Sequence, residues 1–169
     1  MITGSGHHDN VSPGEKEKET MAKTYQAPLF IRVANVLTTT LLRVGVKLKG
    51  AGNYPMYLLT VRGRKSGQPR TLPIAMWERN GKRYVGSVFG IVAWVRNLRA
   101  AGEATLTRGR RAETVTAREL PQGEAALVLQ ADIKDGNPFA HYYGVTANSS
   151  LEEFERAVLT HPVFEFVRK

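Results

Sequence analysis

Four cations, two glycines and a hydroxyl crowd into the nine residues Arg62-Gly63-Arg64-Lys65-Ser66-Gly67-Gln68-Pro69-Arg70. A turn between strands needs a glycine and a polar partner; it does not need four positive charges that repel one another. The stretch makes physical sense around an anion. Gly63 and Gly67 let backbone N–H groups approach it closely. Arg64, Lys65 and Arg70 supply charge, and Ser66 a directional donor. The stretch is not a Walker A loop, because Arg64 stands where that motif needs glycine before Lys65-Ser66. Gly50 and Gly52 lack the third glycine of a dinucleotide fingerprint, and neither H-E-x-x-H nor G-x-S-x-G occurs. The histidines are His7, His8, His141 and His161 and there is no cysteine, so no metal site is expected.

The elements that must position this loop follow from periodicity. Apolar runs at 56–61 and 71–77 flank it, which reads as strand, basic turn, strand. Asn80-Gly81 signals a type I′ hairpin into a third strand at 83–89. A short helix over 93–101 stops at Gly102. Strands follow at 104–108 and 113–120, then a helical pattern at 122–131 and a loop at 135–138. Phe139 to Gly144 form an aromatic cluster. Ser150 and Glu153 spell a capping box for a helix through Leu159, and a last strand covers 163–167. Upstream, residues 28–44 carry an apolar stripe (Leu29, Phe30, Val33, Val36, Leu37, Leu41, Val44) opposite Arg32, Asn35, Thr39 and Arg43. This helix is expected to pack on the core; a basic amphipathic helix on a membrane surface is the alternative. Five or six hairpin-linked strands with accessory helices make an α+β fold built on a small antiparallel barrel or sheet, not a doubly wound one.

Composition bounds the partners. The 169 residues suit one domain, read as a disordered leader over 1–22 and a single folded unit over 23–169. With 24 Lys+Arg against 15 Asp+Glu the formal charge is +9, which favours an anionic partner: nucleic acid, an anionic membrane or a polyanionic small molecule. A nucleic-acid reader would need a recognition helix or a stacking platform interleaved with Lys/Arg, and neither is present, so no nucleic-acid partner is expected. The absence of cysteine fits a cytoplasmic location, and no apolar run reaches the 18 or so residues of a membrane span.

Three blocks together resemble a known family. Gly63-Arg64-Lys65-Ser66-Gly67-Gln68-Pro69-Arg70-Thr71-Leu72-Pro73 is similar to a G-R-K-S-G-x-P-R-x-x-P signature. Asn80-Gly81-x-x-Tyr84-Val85-Gly86-Ser87 and Trp94-Val95-Arg96-Asn97-Leu98-Arg99-Ala100 resemble the two blocks that follow it. The family is the deazaflavin (coenzyme F420)-dependent nitroreductase/quinone reductase family of mycobacteria and related actinobacteria, and the likeness spans roughly residues 55–120. One departure is that Val88-Phe89-Gly90-Ile91-Val92 stands where many relatives carry a longer stretch with Lys-Gly-Gly.

The resemblance implies a split β-barrel (a Greek-key barrel of about six strands) and a hydride transfer from reduced F420 to a quinone, a nitroaromatic or an activated enone. It implies that Arg64, Lys65, Ser66 and Arg70 hold the coenzyme's phosphate and glutamate tail. Thr71, Leu72, Pro73 and Ile74 would lie along its ring, Val85, Gly86, Ser87 and Val88 on the other side, and Ala93, Trp94, Val95, Arg96 and Asn97 as a helical wall. Gly86 would give the ring close access to the backbone. A developing oxyanion on the small-molecule substrate needs a donor, for which Ser87, Tyr142 and Tyr143 are the candidates, with water as another proton source. The same barrel hosts FMN elsewhere, so an FMN oxidoreductase and a non-catalytic F420 carrier are the alternatives. A homodimer is the assembly common among split-barrel relatives. The upstream helix could bring the active site to membrane-borne quinones.

Overall fold

The computed structural model describes residues 29–169; the leader over 1–22 lies outside them. Helix α1 (Leu29–Arg43) is followed by β1 (Met56–Arg62), β2 (Pro69–Ala75), β3 (Trp77–Arg79) and β4 (Lys82–Gly86). Then come α2 (Ala93–Ala101), β5 (Glu103–Arg108), β6 (Arg111–Glu119), α3 (Gln122–Lys134), a 3₁₀ turn (Ala140–Tyr143), α4 (Leu151–Thr160) and β7 (Val163–Arg168). The local signals are met by geometry. Asn80 and Gly81 take φ of 52° and 73°, the left-handed pair of a type I′ turn. Ser150 and Glu153 form the reciprocal capping box of α4.

The seven strands form one sheet in the order β2-β1-β5-β6-β7-β4-β3, antiparallel throughout. The two edge strands, β2 and β3, are joined by the single residue Met76. A flat sheet of this width would hold its edges about 29 Å apart. One connecting residue reaches about 7 Å. The sheet therefore curls until its edges meet, and the expected continuous strand at 71–77 becomes two strands with a break at Met76. That break accounts for seven strands where about six are expected.

Alternation then sorts the side chains. Tyr57, Leu59 and Val61 of β1 point into the barrel with Leu106, Val115, Phe164 and Phe166, and α2 closes one end with Val95 and Leu98. Helices α3 and α4 bury Leu129, Ile133, Phe154 and Val158 in a second core with Trp77, Tyr84 and Val163.

Two elements depart from expectation. The third strand ends at Gly86, because Ser87–Gly90 fold into a turn closed by a Gly90 N–H to Ser87 carbonyl bond of 3.1 Å. Helix α1 lies the other way round. Leu42 is 1% exposed and Thr38 and Thr39 are half-buried, whereas Val36, Leu37, Leu41 and Val44 of the stripe are 65%, 62%, 44% and 67% exposed. The polar side of the helix faces the barrel because Asn35, Thr38, Thr39 and Leu42 recur on one face.

One buried carboxylate spans three strands. Glu165 on β7, 4% exposed, accepts from Arg118 Nε of β6 at 3.0 Å and pairs with Lys82 of β4 at 3.1 Å. Burial alone would raise its pKa; the bonds from Arg118 and Lys82 outweigh it and hold the carboxyl below the ordinary 4.5. The stabilisation is therefore present above that value and is lost as pH falls through the lower, folded one. Glu165→Gln carries no charge to lose. Its melting temperature is expected to lie below wild type at about pH 6, with the gap closing towards about pH 3; a constant gap in thermal melts would refute this.

Candidate active site

A cleft of about 630 Å³ runs along β2. The strand's Arg70 to Ala75 form its floor, a length of roughly 17 Å at strand rise. Val85–Phe89 and the α2 residues Ala93, Trp94 and Asn97 form its walls. The basic loop borders the Arg70 end. Tyr54 belongs to the opposite end, since it precedes the Met56 that pairs with Ala75.

The loop holds its own shape. Gly63 N–H donates to the Gln68 carbonyl and Gly67 N–H to the Gly63 carbonyl, both at 2.8 Å. A Cβ on Gly63 would sit 2.9 Å from Ser66 Oγ and 3.1 Å from the Gln68 carbonyl, and Gly67 has φ +67°. These glycines are thus demanded by the turn itself. Asn97 ties the loop to α2: its Oδ1 accepts from Arg64 N–H and from Arg64 Nη1, each at 3.2 Å. Lys65 and Arg70 have no carboxylate partner among the described residues, nor has Arg64. By contrast Arg79, Lys82, Arg83, Arg99, Arg118, Arg168 and Lys169 are all paired with Asp or Glu. Other cations, Arg43 and Lys47 among them, also lack a carboxylate within the described residues, but here three such cations stand together at one end of a cleft, which suits an anion.

The far end is aromatic, lined by Tyr54, Trp77, Phe139 and Tyr143. Tyr143 is 4% exposed, and its hydroxyl lies where a Cβ on Gly86 would come within 2.5 Å, with Trp77 at 3.2 Å from the same point. Gly86 is thus required by Tyr143. Burial, then Asp132 and Tyr54 nearby, push the Tyr143 phenol far up, so it stays neutral and keeps its proton. Donors beside apolar walls at one end and unpaired cations at the other suit a ligand with a flat apolar part and a polyanionic tail.

The structure brings Arg70, Thr71, Leu72, Pro73, Ile74, Val85, Gly86, Ser87, Val88, Ala93, Trp94, Asn97 and Tyr143 to this cleft. Arg64, Lys65 and Ser66 stand beside it in the exposed loop. Val95 faces the other way and is fully buried in the barrel core, and Arg96 is exposed on the outer side of α2. Ser87 lines the cleft, but its hydroxyl donates to the Gly90 carbonyl and so closes its own turn. Tyr142 is 45% exposed and rests on His141, 4.0 Å between ring centres, outside the cleft lining. Tyr54, Trp77, Asn137 and Phe139 also line the cleft; the sequence marks Trp77 only as strand and Phe139 only as part of an aromatic cluster, and none of the four as a site residue. Asn137 and Phe139 arrive from the loop after α3, more than fifty residues downstream of β2, and only the packing of α3 on the barrel brings them in.

Residues 31–149 match the model of the F420H(2)-dependent quinone reductase family, which is well over half of the chain. No curated protein matches. Among solved structures, an F420-H2 dependent reductase (FDR-A) is 26% identical, with 66% of this chain and 93% of that one covered and a TM-score of 0.48. A domain-swapped dimer is 22% identical over 92% of this chain and 100% of its own, with a TM-score of 0.52, a likeness of fold. A NimC/NimA family protein from Clostridium acetobutylicum is 13% identical, with 66% and 73% covered and a TM-score of 0.46.

The contact at Gly86 is open to test. In Gly86→Ala the new methyl meets a buried hydroxyl, at an expected cost of about 1–3 kcal/mol. Adding Tyr143→Phe removes the clashing oxygen and should recover a large part of that loss in denaturant melts; equal melts for the single and double variants would show that the clash is elsewhere.

Proposed function

The chain belongs to the F420H(2)-dependent quinone reductase family, and from that premise we propose that its cleft joins the reduced coenzyme to an electrophilic acceptor: a quinone, a nitroaromatic or an activated enone. The chain is an oxidoreductase and its cofactor is F420. The observation that carries the reading is the set of unpaired cations, Arg64, Lys65 and Arg70, at one end of an apolar cleft. FMN, with one phosphate, has less use for that much open charge than a phosphodiester with a glutamate tail.

Lys65 and Arg70, with Ser66, would hold the tail by charge-assisted hydrogen bonds. Asn97 keeps Arg64 and the loop backbone in place against α2. Leu72, Pro73, Ile74, Val85, Val88, Ala93 and Trp94 would enclose the flat ring and exclude water. When bound, the reduced coenzyme supplies a hydride. Tyr143, neutral and buried, would donate a hydrogen bond to the oxygen on which charge develops in the acceptor. Ser87, whose proton is committed to Gly90, would shape the wall.

The outward face of α1 bears on where the acceptor comes from. Val36, Leu37, Leu41 and Val44 stand exposed beside Arg43, Lys47 and Lys49, an apolar strip flanked by cations. That is the pattern of a helix lying in an anionic lipid interface. Among the described residues no helix is long and apolar enough to cross a membrane. The reading is contact with the surface, from which a lipid-soluble quinone would enter the cleft beside Asn35.

Two measurements test these readings. Titration with F420, followed by the coenzyme's fluorescence, should give saturable binding that weakens at least tenfold in Lys65→Ala/Arg70→Ala and weakens with salt; equal affinity in the variant would remove the loop's role, and no binding by wild type would sink the reading. Sedimentation with vesicles rich in anionic lipid should pellet the wild type and leave Leu37→Asp/Val44→Asp in solution. A concentration-dependent dimer lost in that same variant, without vesicle binding, would instead assign the strip to a second copy of the chain.

A further inference from the structure

Behind the end of the cleft away from the basic loop lies a carboxyl group that the reading above does not use. Asp132, on α3, is 4% exposed and does not itself line the cleft. It touches the cleft only through two residues that do. Tyr54 Oη donates to Asp132 Oδ1 at 2.7 Å, and Asn137 Nδ2 donates to Asp132 Oδ2. The orientation of the Asn137 amide is set independently, because its Oδ1 accepts from Phe139 N–H at 2.7 Å. Asn137 can therefore only donate to Oδ2. A proton carried by Asp132 has no acceptor on that side and must sit on Oδ1, facing the Tyr54 oxygen.

We propose that Tyr54 is the catalytic proton donor to the reduced acceptor, and that Asp132, acting through it as a positioning residue, refills its proton. The proposal rests on the reductase reading and adds the proton path to it. The acceptor gains two electrons and a hydrogen as hydride from the reduced coenzyme. Its oxygen, now carrying negative charge, forms a bond to the Tyr54 proton as the Tyr54 O–H bond breaks. The Tyr54 oxygen takes the Asp132 Oδ1 proton, leaving a carboxylate that two hydrogen bonds hold. When product leaves, solvent entering the cleft returns one proton through Tyr54 to Asp132. Tyr143 has no hydrogen-bond partner among the described residues to replace a proton it gave away, which suits it to polarise the oxygen rather than to protonate it.

The surroundings favour a protonated carboxyl. Burial pushes Asp132 up, against the hydrogen bonds from Tyr54 and Asn137; Asp135 raises it further and Arg79 lowers it. Arg79 is itself held at 2.6 Å by Asp135, which blunts its effect. Tyr143 completes the set of titratable groups facing the pair. A raised pKa keeps more of the acid form near neutrality, where a general acid is needed.

Tyr54→Phe and Asp132→Asn keep shape and remove the proton path. Single-turnover oxidation of reduced F420 by 2-methyl-1,4-naphthoquinone should slow by at least tenfold in both, with F420 affinity within twofold of wild type. The wild-type rate should fall as pH rises through the Asp132 pKa, and Asp132→Asn should lack that limb. Carboxyl ¹³C NMR of the protein without coenzyme gives a second readout. Asp132 should titrate above the ordinary 3.8, and higher still in Tyr54→Phe, which loses a bond that favours the carboxylate. Wild-type rates and pH profile in both variants, or titration at or below the ordinary value, would overturn the relay and leave the reductase reading standing. A wild type that neither binds F420 nor oxidises its reduced form would overturn both.

Discussion

Everything in this molecule depends on one short connection. Met76 is fully buried and links the two outermost strands of a seven-stranded sheet. Closure is therefore imposed by chain length, not chosen among shapes. The curl turns the alternating faces of β1, β5 and β7 into a filled interior, and it sets β2 beside the β4 turn and α2. Those three pieces are the cleft. The same break places Trp77 at the cleft's far end, next to Gly86 and Tyr143, so barrel closure and site construction are one event.

Charge is distributed with the same economy. Glu165 gathers Arg118 and Lys82 across three strands, and Glu113 takes Arg83 and Arg168 beside it. At the β1–β2 loop the cations are not matched, and a neutral amide, Asn97, steadies Arg64 there. An amide can fix a guanidinium in place without cancelling its charge, so the loop is ordered and remains attractive to an anion. The far end follows the opposite rule: phenols, an amide and a carboxyl are packed among aromatic rings, where burial favours their neutral forms.

Much of this was legible in the residues and their spacing. Strands separated by Asn80-Gly81, a helix ended by Gly102, and a capping box at Ser150 and Glu153 are local signals, each decided by backbone dihedrals and bonds within a few residues. The basic loop was legible for the same reason, since its four cations are neighbours in the chain. Sequence likeness added the coenzyme and a useful list of cleft residues, among which Ser87 lines the wall with its hydroxyl already spent.

Other features were decided at a distance. The split of one apolar run into β2 and β3 followed from barrel closure, which no local pattern encodes. Helix α1 has a clear amphipathic stripe, yet it turns Val36, Leu37, Leu41 and Val44 outward, because the barrel side takes Thr38, Thr39 and Leu42 and the cleft takes Asn35. Asp132 and Asn137 are near neighbours, but Tyr54 stands 78 residues from Asp132 and meets it only when α3 packs on the barrel. The sequence by itself determined most of the elements, their turns and the clustering of four cations in one loop, because those rest on short-range sterics and neighbouring residues; which faces meet, and so which polar groups share the cleft, was left to tertiary packing, which acts between residues that the chain keeps apart.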